Sequence, residues 1–195
     1  KRPYFGTNPV CVAVPREEEE PYCLDMATSM ISWNKLLLHK SNNEKLPDVL
    51  AADKDGHPTK DPQNAECLMP AGSYKGYGLA VMVDILCGVF TGMAFGRNIP
   101  SMYKAPMNQP RHLGQFYMVI RADGCIEKVD FLRAMQQMTD EVRLEPNLEG
   151  ERVLLANDPQ IEEAQRRKVK GIPLGENLLE EFRKLAYELG VEVRL

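Results

Sequence analysis

The stretch Pro70-Ala71-Gly72-Ser73-Tyr74-Lys75-Gly76-Tyr77-Gly78 constrains the fold more than any other part of this chain. Its glycines let the backbone take positive φ or approach another backbone closely. Directly after it, Leu79, Met82, Val83, Leu86 and Phe90 fall at i, i+3, i+4, i+7 and i+11, the spacing that lines one face of a helix. The segment predicts a glycine-rich turn feeding a buried helix. Free N–H groups at a helix start attract anions, and Lys75 adds a full positive charge beside them. The residues leave two readings open, a phosphate or dinucleotide cradle and a helix start that serves packing alone. No Gly-Lys-Ser/Thr closes the turn as in a P-loop, and no clear strand precedes it as in a Rossmann turn. Asp84, a lone acid within the apolar helix, is expected to have a structural ion-pair partner.

Around this segment the pattern alternates between short strands and helices. Val10 to Val14 and Tyr22 to Leu24 are apolar runs flanking the charged Arg16 to Glu20, which predicts a hairpin with an acidic, solvated loop. Asp25 then precedes Met26, Met30, Trp33 and Leu37 at i, i+4, i+7 and i+11, so a helix capped by Asp25 is expected there. Asp53-Lys54-Asp55-Gly56 is a tight turn, and it lacks the later ligands of a calcium loop, so no metal site is assigned. Asn98 to Gly114 reads as a long loop. Gln115 to Arg121, apolar on both faces, predicts an interior strand. A helix through Phe131, Met135, Met138 and Val142, a short strand at Val153 to Ala156, and helices at Ile161 to Lys168 and through Leu178, Phe182, Leu185 and Leu189 complete the chain. The pattern predicts an α/β (α+β) domain with a mixed, largely antiparallel sheet and flanking helices.

Composition narrows the function classes. A net charge of -4 without a basic stripe argues against nucleic acid, and no apolar run approaches the roughly 20 residues of a membrane span. Five widely spaced cysteines with no C-x-x-C suggest neither a disulfide framework nor zinc, and fit a reducing cytoplasm. The start, Lys1-Arg2-Pro3-Tyr4-Phe5, has no initiator Met and no apolar leader, and reads as an internal start of a longer chain. Acid–base chemistry would fall to His39, His57 or His112, and none has neighbours at a spacing that marks a catalytic base. From the residues alone, the reading stops at a globular α/β domain with one candidate anion cradle.

Four blocks in order carry a resemblance: Phe5-Gly6-Thr7-Asn8-Pro9; Leu24-Asp25-Met26-Ala27-Thr28-Ser29; Asp55-Gly56-His57-Pro58-Thr59-Lys60-Asp61-Pro62; and Lys75-Gly76-Tyr77-Gly78-Leu79 leading to Val83-Asp84-Ile85-Leu86-Cys87-Gly88. Together they resemble the malate/L-lactate dehydrogenase type 2 family over almost the whole chain, as far as Gly171-Ile172-Pro173-Leu174. Within it, Ser32-Trp33-Asn34-Lys35, Phe95-Gly96-Arg97, Ser101-Met102-Tyr103 and Leu113-Gly114-Gln115 resemble the ureidoglycolate-oxidising branch.

The resemblance implies a family-specific, non-Rossmann nicotinamide-binding fold, NAD or NADP as cofactor, a homodimer, and a 2-hydroxy/2-oxo acid substrate of the ureidoglycolate, malate or lactate type. It places cofactor contacts at Asp25, Met26 and Ala27, at Lys75, and at Asn157, Asp158 and Pro159, although relatives usually show Pro-Gly where this chain has Ala156-Asn157. Residues 1–150 are expected to form the nicotinamide-binding domain and 151–195 a C-terminal helical segment. The family's proton-transferring His belongs to an N-terminal region absent from this chain, so no catalytic residue is assigned on it. The rival expectation is a non-catalytic cofactor-binding or dimer-assembly fragment.

Overall fold

The computed structural model describes residues 2–103, 105–148 and 150–192. They are mixed α/β with small antiparallel sheets, and fall into two compact units, Lys1–Asp140 and Glu141–Leu195.

In the first unit β1 (Val10–Val14) pairs antiparallel with β2 (Tyr22–Met26), Val12 opposite Leu24. The β-branched run and the charged loop make the expected hairpin, but β2 extends through Asp25 and Met26, which sit opposite Cys11 and Val10. That register overturns the helix capped by Asp25. Helix α1 spans Trp33–Ser41, and its cap is Ser32, whose Oγ accepts from the Lys35 N–H at 3.2 Å. The competing force is the ladder: Met26 is used in a strand pair before any helical turn can form. The buried residue of α1 is Leu36 rather than Leu37.

A second sheet runs β4-β3-β5, with β3 (Ala51–Ala52) between β4 (Pro58–Thr59) and β5 (Cys67–Leu68). The Asp53–Gly56 turn joins β3 to β4, with Gly56 at φ 81° and the Gly56 N–H donating to the Asp53 carbonyl at 3.0 Å. Leu36, Leu46, Leu50, Ala51 and Ala65 form a buried cluster, with Ile31, Trp33 and Leu68 packed against it. From the long loop, the Tyr103 hydroxyl and the Asn34 side-chain oxygen lie 2.9 Å apart, docking the loop on α1.

Helix α2 spans Tyr74–Asp84 and continues as a π-helical turn over Ile85–Val89. The face it buries is not the large apolar one. Gly76, Ala80, Asp84 and Gly88 are buried, while Leu79, Met82, Ile85, Val89 and Phe90 are exposed. Small residues allow close backbone approach: a Cβ on Gly76 would lie 2.7 Å from the Thr28 carbonyl oxygen, and one on Gly88 2.8 Å from Phe95 Cβ. Asp84 is held by a backbone amide, the Gly96 N–H donating to Oδ2 at 2.9 Å, instead of the expected ion pair. Gly96 has φ 54°, the left-handed region that favours glycine.

Among the described residues, 115–121 pairs with no strand, contrary to the interior strand expected there. Its side chains are open, with Tyr117 80 % and Val119 95 % exposed. Helix α3 (Lys128–Leu144) follows as its periodicity predicts. In the second unit the expected strand at 153–156 is absent and those residues are irregular. Helices α4 (Asp158–Lys170) and α5 (Glu176–Leu189) carry the amphipathic patterns. No helix among the described residues is long and apolar enough to cross a membrane.

Candidate functional site

The glycine-rich turn is locked to the loop after β2 by backbone bonds. The Ala71 N–H donates to the Thr28 carbonyl at 2.9 Å, the Met30 N–H to the Met69 carbonyl at 2.8 Å, and Ser29 bridges Pro70. Thr28 in turn anchors the segment before β1, its N–H and its hydroxyl donating to the Thr7 carbonyl at 2.9 and 3.0 Å. Asn8, at φ 35°, donates its side-chain amide to the Ala80 carbonyl of α2 at 2.9 Å. The four blocks that carry the family resemblance thus include three that are physically joined: 5–9, 24–29 and 75–79.

This junction borders a cavity of about 610 Å³ lined in part by Phe5, Thr28, Ser29, Trp33, Tyr77 and Arg97. Arg97 ties Pro3 and Tyr4 to its wall: Nε donates to the Pro3 carbonyl at 3.0 Å and the guanidinium carbon lies 5.0 Å from the Tyr4 ring centroid. Aromatic faces, two hydroxyls and a cation suit a planar ring with an anionic group attached. Cys67 also lines the cavity, and burial pushes its thiol pKa up.

Of the expected cofactor residues, Asp25 is exposed on β2, Met26 half-buried at its end, and Ala27 follows. Lys75 lies exposed in the first turn of α2 and makes no ion pair among the described residues. None of these four lines the cavity, but their neighbours Thr28, Ser29 and Tyr77 do. The cradle is not a nest of free amides. Ser73, Lys75 and Gly76 N–H groups donate to the Pro70, Gly72 and Ala71 carbonyls at 3.2, 3.3 and 2.8 Å. An anion here would therefore rely on the Lys75 ammonium and on close backbone approach. Gly78 has nothing within 4 Å of where its Cβ would stand, and Gly72 at φ 58° meets only the Lys75 Cβ at 3.9 Å.

The third expected stretch lies in the second unit. Asn157, in the left-handed region at φ 83°, precedes α4, whose first residues are Asp158 and Pro159. Asp158 is 5 % exposed, and its carboxylate accepts from Arg143 Nε and Nη2 at 3.1 and 2.8 Å and from the Leu155 N–H at 3.0 Å. The carboxylate is therefore committed to the fold of this unit, and so is the backbone beside it: the Asn157 carbonyl accepts the Ile161 N–H at 3.0 Å and the Asp158 N–H donates to the Leu155 carbonyl at 3.1 Å.

No histidine of the chain reaches the cavity. His39 Nδ1 lies 3.7 Å from Glu44, exposed His57 3.7 Å from Asp53, and the exposed His112, at φ 50°, accepts the Ala94 N–H through its carbonyl at 3.2 Å. Asp53, Asp55 and His57 cluster in the β3–β4 turn. Asp53 Oδ1 accepts the Asp55 and His57 N–H groups at 2.9 Å, and these backbone bonds, that from His57 foremost, lower the pKa of its carboxyl. The carboxylate is a turn-forming group.

Sequence reasoning missed Thr7, Asn8, Thr28 and Arg97 as positioning residues. Their signal was present in the Phe5–Pro9, Leu24–Ser29 and Phe95–Arg97 blocks, but a spacing in sequence does not say which carbonyl a side chain will reach.

Comparison with known proteins gives a consistent picture. Ureidoglycolate dehydrogenase (NAD(+)) of Escherichia coli K12 is 46 % identical over 117 residues, 60 % of this chain and 33 % of that enzyme. Malate/(S)-sulfolactate dehydrogenase of Methanothermus fervidus is 30 % identical over 195 residues, 99 % of this chain and 56 % of that enzyme. The solved sulfolactate dehydrogenase of Methanocaldococcus jannaschii superposes with a TM-score of 0.81 at 29 % identity, over 97 % of this chain and 54 % of that one. The chain thus spans about half the length, or less, of these relatives. The family model described as malate/L-lactate dehydrogenase matches residues 1–183, and the chain belongs to that family.

Proposed function

We propose that this chain is the nicotinamide-binding part of an NAD- or NADP-dependent dehydrogenase that interconverts a 2-hydroxy acid and its 2-oxo acid. The observation that carries the reading is the exposed Lys75 ammonium, without an ion pair among the described residues, in a glycine-bounded turn roped to the loop after Asp25-Met26-Ala27. The names of the relatives supply the reaction class, and ureidoglycolate is the substrate favoured by the 46 % identity to the E. coli enzyme. Residues 1–150 form the cofactor domain in this proposal and 151–195 a helical segment that adds contacts at Asn157, Asp158 and Pro159. The working enzyme is a homodimer in the cytoplasm.

The residues present fit the cofactor in part. Lys75 neutralises a phosphate, open Gly72 and Gly78 let the dinucleotide approach the backbone, and the cavity offers Trp33 and Tyr77 as stacking faces. A nicotinamide held there would supply the hydride acceptor for the substrate carbon. The hydroxyl proton leaves to a base; no histidine of this chain lines the cavity, and in this proposal the base comes from the remainder of the family's chain.

Titration with NADH and, separately, NADPH, followed by energy transfer from Trp33 at the cavity wall, tests the reading. Saturable binding that weakens roughly tenfold to a hundredfold in Lys75→Ala, with unchanged thermal unfolding, is expected for loss of one charged contact. Binding untouched by that substitution, or no binding by the folded chain, would favour the rival assembly-fragment reading.

A further inference from the structure

A second cavity, about 750 Å³ and mostly apolar, is lined on the one hand by Val10 to Val14 of β1 and on the other by Phe116, Met118 and Ile120, together with Met82, Val83 and Leu86. Over 116–120 alternate residues line it, Phe116, Met118 and Ile120 but not Tyr117 and Val119, the period-two side-chain arrangement of a strand, and Arg121 and Ala122 follow at its end. β1 is paired with β2 on one edge only, and 115–121 pairs with no strand among the described residues. Two unpartnered backbone edges therefore border one apolar trough. The second edge is held in position: a Cβ on Gly114 would lie 1.6 Å from the Cys87 carbonyl oxygen, and Phe116 packs edge-on against Phe90 at 6.0 Å.

We propose that this trough receives one extended apolar β-strand, supplied by the part of the family's chain that lies outside these residues. Three observations select that occupant. The protein exposes 15,053 Å², against roughly 9,300 Å² for one compact body of its mass and roughly 11,000 Å² for two separate bodies the size of its units. Val10–Val14 carries no charge and no internal proline, the devices by which a permanently free edge avoids pairing. And the relatives carry about as much chain again as this one matches. In a second copy of this chain β1 already gives one edge to β2, so of these two segments its 115–121 alone has both edges to offer, and that case shows itself as dimerisation of the chain alone. A helix satisfies its own backbone and leaves both edges open. The proposal rests on family membership and not on the cofactor reading, and its test contains no nucleotide.

The test is to co-express this chain with the part of the Methanothermus fervidus enzyme outside its matched stretch, and separately with the corresponding part of the E. coli enzyme, and to follow amide exchange by mass spectrometry. A one-to-one complex with at least about tenfold slower exchange at both 10–14 and 116–121 is expected, against rapid exchange at 116–121 in the chain alone. Met118→Asp should weaken association at least about tenfold, with Trp33 fluorescence and circular dichroism checking that the variant folds. The wild-type exchange result decides the matter even if the variant does not fold. The proposal fails if neither part associates, if a complex forms while 116–121 still exchanges freely, or if the chain alone dimerises with both segments protected.

Discussion

Two apolar regions of the first unit differ in whether they are finished. Around Leu36, Leu46, Leu50, Ala51 and Ala65, a helix and a three-stranded sheet close on each other and the side chains are 0–8 % exposed. Between β1, α2 and 115–121 the side chains are as apolar, yet Met118 is 71 % and Ile120 76 % exposed. The first cluster is assembled from segments within about 40 residues of one another, all present in this chain. The second has side chains of the same character, left exposed among the described residues. Apolar sequence therefore creates a demand for burial, and only a partner surface meets it.

The sharpest way to break this comparison is to truncate one residue on each side. Leu36→Ala, at a site with 0 % exposure, should cost roughly 2–5 kcal/mol in urea unfolding. Met118→Ala should stay within about 0.5 kcal/mol for the chain alone. Equal losses would mean that the trough is already closed in solution.

A smaller effect is expected where the two regions meet. In Gly76→Ala the new methyl would stand 2.3 Å from the Ala71 carbonyl oxygen and 2.7 Å from that of Thr28, both backbone atoms that cannot swing aside. Destabilisation of about 1–3 kcal/mol in thermal or urea unfolding is expected, together with weaker nucleotide binding if the glycine-rich turn is the cofactor site. A neutral result would show that α2 is free to shift against the Thr28 loop.

The smallest effect concerns acid and the finished region only. Because the His57, Asp55 and Gly56 backbone bonds lower the Asp53 pKa below its ordinary 3.8, the turn's contribution is present above that value and is lost as pH falls through the lower folded value. Amide shifts of Asp55 and His57 should titrate together with a midpoint below 3.8. In Asp53→Asn, which keeps an acceptor oxygen, that titration should vanish while the hairpin remains.

Much of the architecture could be read in advance where the signal is local. The β1–β2 hairpin, the Asp53–Gly56 turn and α3 to α5 follow from β-branched runs, an Asp-Gly pair and 3.6-residue periodicity. Failures occurred where a distant segment competes. Asp25 and Met26 have a helical spacing to Trp33, but β1 recruits them into a strand. The apolar stripe of α2 is genuine, yet the fold described here buries the opposite, small-residue face through Gly76 and Gly88. At the candidate site the Lys75 turn and the Asp25–Ala27 segment were marked by the sequence, and it is their neighbours Thr28, Ser29 and Tyr77 that line the cavity. The site's Thr7, Asn8 and Arg97 ties were not marked, since each depends on a carbonyl 72 to 94 residues away or on a backbone brought in by the hairpin.

By itself the sequence determined the family, the mixed α/β class, the glycine-rich start of α2 and the apolar alternation of 115–121, because these depend on side-chain order along the chain. The tertiary structure decided which amides the turn consumes, that Asp158 is committed to Arg143, and that 115–121 stands without a strand partner. Each of those outcomes depends on which groups compete for the same donor, acceptor or apolar surface in space, and that competition has no signature in local order.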